Sequence, residues 1–290
     1  MQFWQSLFQC ESDQIFELTK LCEQLGFHGV MPSDHLLHFA VQNSKYPYSP
    51  DHKPPSFRDD TPWFDCWTMI AALAAVTSKL HFCTNVYILP LRNPVEVAKA
   101  TSSVAFFANG RLLLGVGAGW MKEEFDVLGV DFASRGRRYD ECIEVIRKLH
   151  SGEFVEHDGE FFHFPRLNMI PKPPQPLPIL IGGTTEVAMR RAARLGDGWI
   201  SPGGTVDSTL DQLQRIDRLR REYGTRNRPF DSIVAVFGEE VCLDDLRRLQ
   251  DAGATGFISI PFMFTIGPQT SLAQKREALE RFAEQLMVKA

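Results

Sequence analysis

The sequence predicts an α/β fold, a (β/α)8 TIM barrel with loop insertions at its C-terminal face, on three observations. Short apolar runs suited to buried parallel strands occur eight times, at 2–8, 27–31, 80–86, 111–116, 178–181, 197–201, 232–237 and 256–260. Helical periodicities lie between them. The length of 290 residues suits one barrel, which typically needs about 250. A doubly wound sheet usually carries fewer strands per domain, and no clean linker separates two cores. One barrel domain over 1–290 is the expectation.

The helices follow from apolar stripes and their punctuation. Ile15, Leu18, Cys22 and Leu25 recur at helical spacing, and Gly26 stops the run. Asn93, Pro94 and Glu96 occupy the cap, first and third positions of a helix that ends before Asn109-Gly110. Tyr139, Cys142, Ile143, Ile146 and Leu149 stripe a third helix, and Leu210, Leu213, Ile216, Leu219 and Tyr223 a fourth. Leu279, Phe282 and Leu286 stripe the last. Two stretches break the repeat: about 36–62, rich in Pro, Tyr, Ser and Asp, and 151–177, where alternation around Asp158-Gly159 reads as a small hairpin. In a barrel, long loops after strands gather at the catalytic face.

Composition narrows the function. Apolar residues at 44% and charged residues at 23% are ordinary for a globular chain. The net charge is −5 with no basic stripe, which argues against a nucleic-acid partner. The six cysteines, at 10, 22, 66, 83, 142 and 242, form no CxxC pair, and their spacing is too wide for a zinc ribbon. Reduced thiols, and hence a cytoplasmic protein, are the expectation. The N-terminus lacks a signal-peptide pattern, and the longest apolar segment, Met69 to Val76, is too short to span a bilayer. No membrane partner is expected.

In a barrel, chemistry sits just after the strands. After the second comes Ser33-Asp34-His35; consecutive residues cannot converge as a triad, but Asp34 or His35 can project into the mouth, where a histidine donates a hydrogen bond or moves a proton near neutral pH. The bland alternative is a capping aspartate beside a packed histidine. His38 lies three residues on; two histidines without a third ligand make a poor metal site, so none is expected. After the third strand, Thr84-Asn85 interrupts an apolar run, as at a bulge, and Arg92 stands ready to meet an anion or simply to cap a helix. After the fourth, Gly115, Gly117 and Gly119 precede Trp120. This misses the G-x-G-x-x-G dinucleotide fingerprint by one residue; alternate glycines instead leave a flat shelf for a planar ring, or allow close helix–strand packing. After the fifth, Gly182-Gly183-Thr184-Thr185 leads into a helix, whose free amides and positive dipole end form an anion site. Glu123-Glu124 and the segment Arg135 to Glu141 read as a charge cluster, with Arg137 and Glu141 spaced for an i,i+4 pair.

The order of these pieces, GFHGVMPSDHLL, then LRNPVEVAKATSSVAFFANGRLLLGVGAGWMKEEFDVLGVDFASRGRRYDE, then LPILIGGTTEVAMRRAARLGDGWI, resembles the bacterial luciferase-like monooxygenase family. The closest branch is that of probable coenzyme F420-dependent oxidoreductases. The resemblance covers nearly the whole chain, to about residue 260. It implies reduced FMN or coenzyme F420 at the C-terminal mouth. Asp34 and His35 then match the acid–histidine pair beside the reactive ring. Asn85-Val86 matches a strand-3 bulge that is often a non-proline cis peptide. Gly117 to Trp120, with Gly119, match a wall, and Gly182, Gly183 and Thr184 match the backbone phosphate site, beside Thr185. Sugar-phosphate dehydrogenases of this superfamily carry a proton-donating glutamate where this chain has Trp120, which points instead to an apolar or planar organic substrate. Arg92 and His38 are further substrate-side candidates. With FMN the partners would include O2 and a separate flavin reductase; a homodimer is also implied. Two other functions fit the residues less well. One is a flavin-binding protein without turnover. The other is a phosphate-binding isomerase or aldolase, which would want a strand lysine that is absent here.

Overall fold

The computed structural model describes residues 1–49, 51–53 and 61–287, so part of the 36–62 insertion lies outside the described residues. The chain runs β1 (Gln2–Ser6), α1 (Ile15–Gln24), β2 (Gly29–Met31), α2 (Cys66–Ala74), β3 (His81–Cys83), β4 (Tyr87–Ile88), α3 (Pro94–Phe107), β5 (Leu112–Gly117), α4 (Lys122–Val127) and α5 (Arg135–His150). It continues through β6 (Val155–Asp158), β7 (His163–Leu167), β8 (Ile179–Gly182), α6 (Glu186–Leu195), β9 (Gly198–Ile200) and α7 (Val206–Glu222). The last elements are β10 (Asp231–Val234), α8 (Leu243–Asp251), β11 (Gly256–Ser259), α9 (Phe262–Thr265) and α10 (Leu272–Phe282).

Parallel pairing orders the strands β3-β2-β1-β11-β10-β9-β8-β5, and the β3–β5 pairing closes the ring. This is a (β/α)8 barrel, and each of the eight apolar runs contributes one of its strands. Alternation sorts each strand's side chains into two layers. Trp4, Met31, Cys83, Leu113, Leu180, Ile200, Ile233 and Ile258, one from each barrel strand, form the inner cluster. Their neighbours Phe3, Val30, Phe82, Leu112, Ile179 and Phe257 belong to the large outer cluster shared with the helices.

The expected stops and caps are present. Asn93 Oδ1 accepts the Val95 amide at 3.0 Å to open α3, and Asn109 and Gly110 leave that helix at φ 52° and 78°. The region around 155–167 is an antiparallel hairpin, β6 with β7. It is fastened to α5 by Glu141, which accepts the Phe162 amide at 2.8 Å and meets His157 Nε2 at 3.1 Å. The expected Arg137–Glu141 pair does not form. Arg137 instead pairs with Glu160 at 2.9 Å, because the hairpin brings Glu141 an imidazole and two amides. Neither the short α4 nor α2 shows a readable stripe: α2 draws on Cys66, Trp67, Ile70, Leu73 and Ala74 for its buried side, and its exposed face is almost as apolar. Among the described residues no helix is long and apolar enough to cross a membrane. Cys10, Cys22, Cys66, Cys83 and Cys142 are buried free thiols, and Cys242 is exposed.

Two half-buried histidines give the fold a predictable response to acid. His150, at the end of α5, approaches the Ala98 carbonyl of α3 through Nε2 at 3.1 Å, and burial lowers its pKa to about 4. His28, stacked on His81 at 4.3 Å, is likewise lowered to about 4 by burial and then by His81. A histidine whose folded pKa lies below its unfolded value of 6.5 binds protons more weakly when folded. Stability is therefore full above pH 6.5 and falls as pH drops toward 4. For His150 the loss is about 3 kcal/mol at most. The thermal midpoint should decline across that window, and His150→Gln should flatten the decline; an equally steep profile in the variant would remove His150 from the account.

Candidate active site at the barrel mouth

A cavity of about 1150 Å³ opens where the C-terminal strand ends converge. Phe8 follows β1, His35 follows β2, Val86 follows β3, Trp120 follows β5, Gly183 follows β8, Ser201 follows β9 and Phe237 follows β10; all seven line it.

The floor is built by Val86. After β3 the chain leaves the sheet: Thr84 Oγ1 donates to the Gly115 carbonyl at 2.6 Å, and the Asn85 amide donates to the Pro32 carbonyl at 2.7 Å. The Asn85–Val86 peptide is cis, as the resemblance implies. The chain then pairs again with β5 through β4. A Cβ on Gly117 would lie 2.6 Å from Val86 Cγ2, and one on Gly182 would lie 2.8 Å from Val86 Cγ1. The glycines thus make room for the Val86 isopropyl group, which fills the space the sequence suggested for a ring and becomes the surface a ring would meet.

One wall is aromatic. The His35 ring meets Trp63 and Trp120 edge-on, at 5.0 and 5.8 Å between centroids. Trp120 also meets Tyr46 at 5.2 Å, and Tyr46 meets Tyr48 at 5.4 Å. Burial, with Tyr48 adding to it, pushes the Tyr46 phenol up to about 12, and burial also raises Tyr48. Both remain neutral hydroxyls near pH 7.

Behind this wall stands Glu124, whose side chain is completely buried. Its Oε1 accepts the Leu36 amide at 2.7 Å, and its Oε2 lies 3.2 Å from His35 Nδ1. Its neighbour Glu123 accepts the Asn43 and Ser44 amides at 2.7 and 3.0 Å. The two carboxylates of α4 therefore hold both ends of residues 35–44.

Asp34 lines the cavity but its carboxylate is committed. Oδ1 meets Arg92 at 2.8 Å and Oδ2 accepts the Ile88 amide at 2.8 Å. Burial pushes the Asp34 carboxyl up, and Arg92 and the Ile88 amide pull it back. Arg92, stacked over Tyr87 at 4.4 Å, is drawn away from the cavity wall, as is His38, whose Nε2 lies 2.8 Å from the Thr61 carbonyl.

Beside the aromatic wall the cavity is positive, and Arg135 Nε donates to the carbonyl of Gly119, next to Trp120, at 3.3 Å. Thr185 Oγ1 caps α6 by accepting the Ala188 amide at 3.3 Å, which leaves the Glu186 and Val187 amides ahead of the first intrahelical bond. The Gly183 amide donates to the Ile200 carbonyl at 3.3 Å, and Thr184 does not reach the cavity wall. An anion here would meet the first turn of α6 more than the glycine pair itself. Gly183 keeps the approach open: its φ is 116°, and a Cβ would lie 3.0 Å from Ala188 Cβ and 3.4 Å from the Tyr48 hydroxyl. Arg135 and Arg191 face the same stretch. Arg191 is ion-paired with Asp140, whereas Arg135, held to the Phe132 carbonyl at 2.8 Å and over its ring at 3.7 Å, has no carboxylate partner among the described residues. Burial and the like charge of Arg191 lower the Arg135 pKa, but a guanidinium stays charged.

Glu124, Arg135, Arg191 and Trp63 were not singled out as site residues by the sequence. The first three appeared there as a charge cluster or inside a helix, and only the fold brings them to the mouth. No three His, Cys, Asp or Glu side chains among the described residues could hold a metal.

The model of one family, described as luciferase-like monooxygenase, matches residues 9–285. The chain belongs to the luciferase-like monooxygenase family. A Mycobacterium tuberculosis protein described as uncharacterized is 40% identical over 275 residues, covering 94% of both chains. A relative from Segniliparus rotundus, named F420-dependent glucose-6-phosphate dehydrogenase, is 30% identical over 222 residues, covering 73% of this chain and 61% of its own. Among solved structures, a monooxygenase from Streptomyces bottropensis has a TM-score of 0.77 at 20% identity, covering 100% of this chain and 99% of its own. An F420-dependent secondary alcohol dehydrogenase in complex with an F420–acetone adduct has a TM-score of 0.75 at 18% identity, covering 100% of this chain and 99% of its own. At those identities the likeness shows the barrel fold alone. Family membership and the F420-dependent relatives support an oxidoreductase that uses a flavin or deazaflavin.

Proposed function

We propose that this luciferase-like chain uses coenzyme F420 to move hydride to or from a small, largely apolar organic substrate. The observation that carries the choice is the polarity of the cavity. One stretch of its wall holds a helix N-terminus and an arginine with no carboxylate partner among the described residues, fit for a phosphodiester. The adjoining stretch holds aromatic rings around one histidine, fit for a planar ring and an apolar partner. The F420-dependent relatives favour the deazaflavin over FMN. When bound, this cofactor supplies a carbon that accepts or gives hydride.

The chain's own residues do the rest. Val86 would support the ring, and Gly117 and Gly182 leave room for the Val86 methyl groups. Arg135 and the first turn of α6 fix the anionic arm, so that the ring has one orientation. Tyr46, Tyr48 and Trp120 would exclude water from the cavity beside them. His35 donates a proton to, or takes one from, the substrate oxygen. Trp120 disfavours sugar phosphates, because a hydroxyl-rich substrate would meet indole and phenol ring edges where relatives of that kind offer a carboxylate.

The test is anaerobic turnover of coenzyme F420 against small alcohols, carbonyl compounds and conjugated alkenes, with glucose 6-phosphate alongside, followed by deazaflavin absorbance. Turnover with members of the first set and none with the sugar phosphate is expected. Oxygen uptake with reduced FMN and no reaction with coenzyme F420 would replace this reading with a monooxygenase.

A further inference from the structure

We propose that Glu124 is a positioning residue for His35, one that fixes the imidazole proton on Nδ1 and sets the ring's place on the cavity wall. This rests on the reading of His35 as the proton-handling group, but it concerns a contact within the chain and can be tested without cofactor.

Glu124 lies on α4, and its side chain has no exposed surface. A buried carboxylate must be satisfied locally. Its two oxygens take adjacent residues: Oε1 the Leu36 amide at 2.7 Å, Oε2 the His35 ring at 3.2 Å. Backbone and ring are thereby held against one fixed group, and the flanking edges of Trp63 and Trp120 restrict rotation of the ring. An ionised carboxylate only accepts hydrogen bonds. The ring nitrogen that faces it therefore carries the hydrogen, and the lone pair of the neutral ring belongs to Nε2. The choice between the two ring nitrogens is set by the partner of one of them.

Glu123 provides an internal control. It is the adjacent residue on the same helix, yet it serves a different part of the insertion. It accepts the Asn43 and Ser44 amides and the Ser44 hydroxyl, the last at 2.5 Å, two residues before the Tyr46–Tyr48 pair. Glu124 should govern the histidine, and Glu123 the aromatic cover.

The experiment is long-range 1H–15N NMR on cofactor-free protein labelled at histidine, with the His35 signals assigned by their loss in His35→Asn. The wild-type chain and Glu123→Gln should both show the Nδ1–H tautomer. In Glu124→Gln the tautomer ratio should change by about tenfold or more, since a charge-assisted bond is lost. In the loaded enzyme the same variant should lose about tenfold or more in kcat while the cofactor Kd stays within about twofold. An Nε2–H tautomer in the wild-type chain, or an unchanged ratio in Glu124→Gln, overturns the proposal. The wild-type spectrum alone can do so, even if the variant fails to fold. Failure of cofactor binding, by contrast, would leave the tautomer result standing and strike only the functional reading.

Discussion

Replacing His35 with asparagine should lower kcat by roughly 10²- to 10⁴-fold, the usual contribution of a positioned acid–base group. Cofactor affinity should change little, because the floor at Val86 and the positive stretch at Arg135 are untouched. The measurement is single-turnover hydride transfer beside a binding titration. A variant that binds and turns over like the wild type would reduce His35 to a wall residue, with Glu124 then only fastening Leu36. Asparagine can still hydrogen-bond in this position but cannot exchange a proton near neutral pH, so the variant separates proton transfer from packing.

The second large effect is on stability. Asp34 and Arg92 form an ion pair whose side chains are only 3% and 14% exposed, and Asp34 also satisfies the Ile88 amide. Asp34→Ala would strand a buried guanidinium and a backbone donor, at a cost of about 3–5 kcal/mol. For a domain of this size that lowers the thermal midpoint by roughly 10 °C. Replacing both partners together, Asp34→Leu with Arg92→Met, should restore part of the loss, because it removes the stranded charge while the Ile88 amide stays without its acceptor. A single variant that melts within a degree or two of the wild type would contradict this. By this argument Asp34 serves the site indirectly: it ties the segment carrying His35 to the segment that returns to the sheet after Val86.

The sequence was most informative where local chemistry decides the outcome. Parallel strands buried on both faces read as unbroken apolar runs, so all eight barrel strands were visible. Asn93 and Gly26 marked helix ends through side-chain capping and backbone freedom, both local effects. α2 escaped because apolar residues surround most of its axis and leave no period to read. The site was legible only in part. His35, Asn85-Val86, Trp120 and Gly183 follow strand ends and could be found by counting strands. Glu124 could not: its partner His35 lies 89 residues away, and a six-residue helix is too short for periodicity to separate its buried acid from the exposed one beside it. Arg135 looked like one more charge in a cluster, since the lack of a carboxylate partner among the described residues is a property of the folded surroundings. The glycines of the fourth strand were noticed, but their use was not, because Val86 reaches them only after the chain leaves and rejoins the sheet.

A deazaflavin bound at this mouth would set its anionic arm at Arg135 and α6. Fluorescence titration of the purified chain with coenzyme F420 and with FMN tests it most directly, in parallel with Gly183→Val, whose side chain would crowd Ala188 and Tyr48. Coenzyme F420 should bind saturably, tighter than FMN, and about tenfold or more weaker in the variant. No binding of coenzyme F420 to the wild-type chain, or unchanged affinity in Gly183→Val, would contradict it.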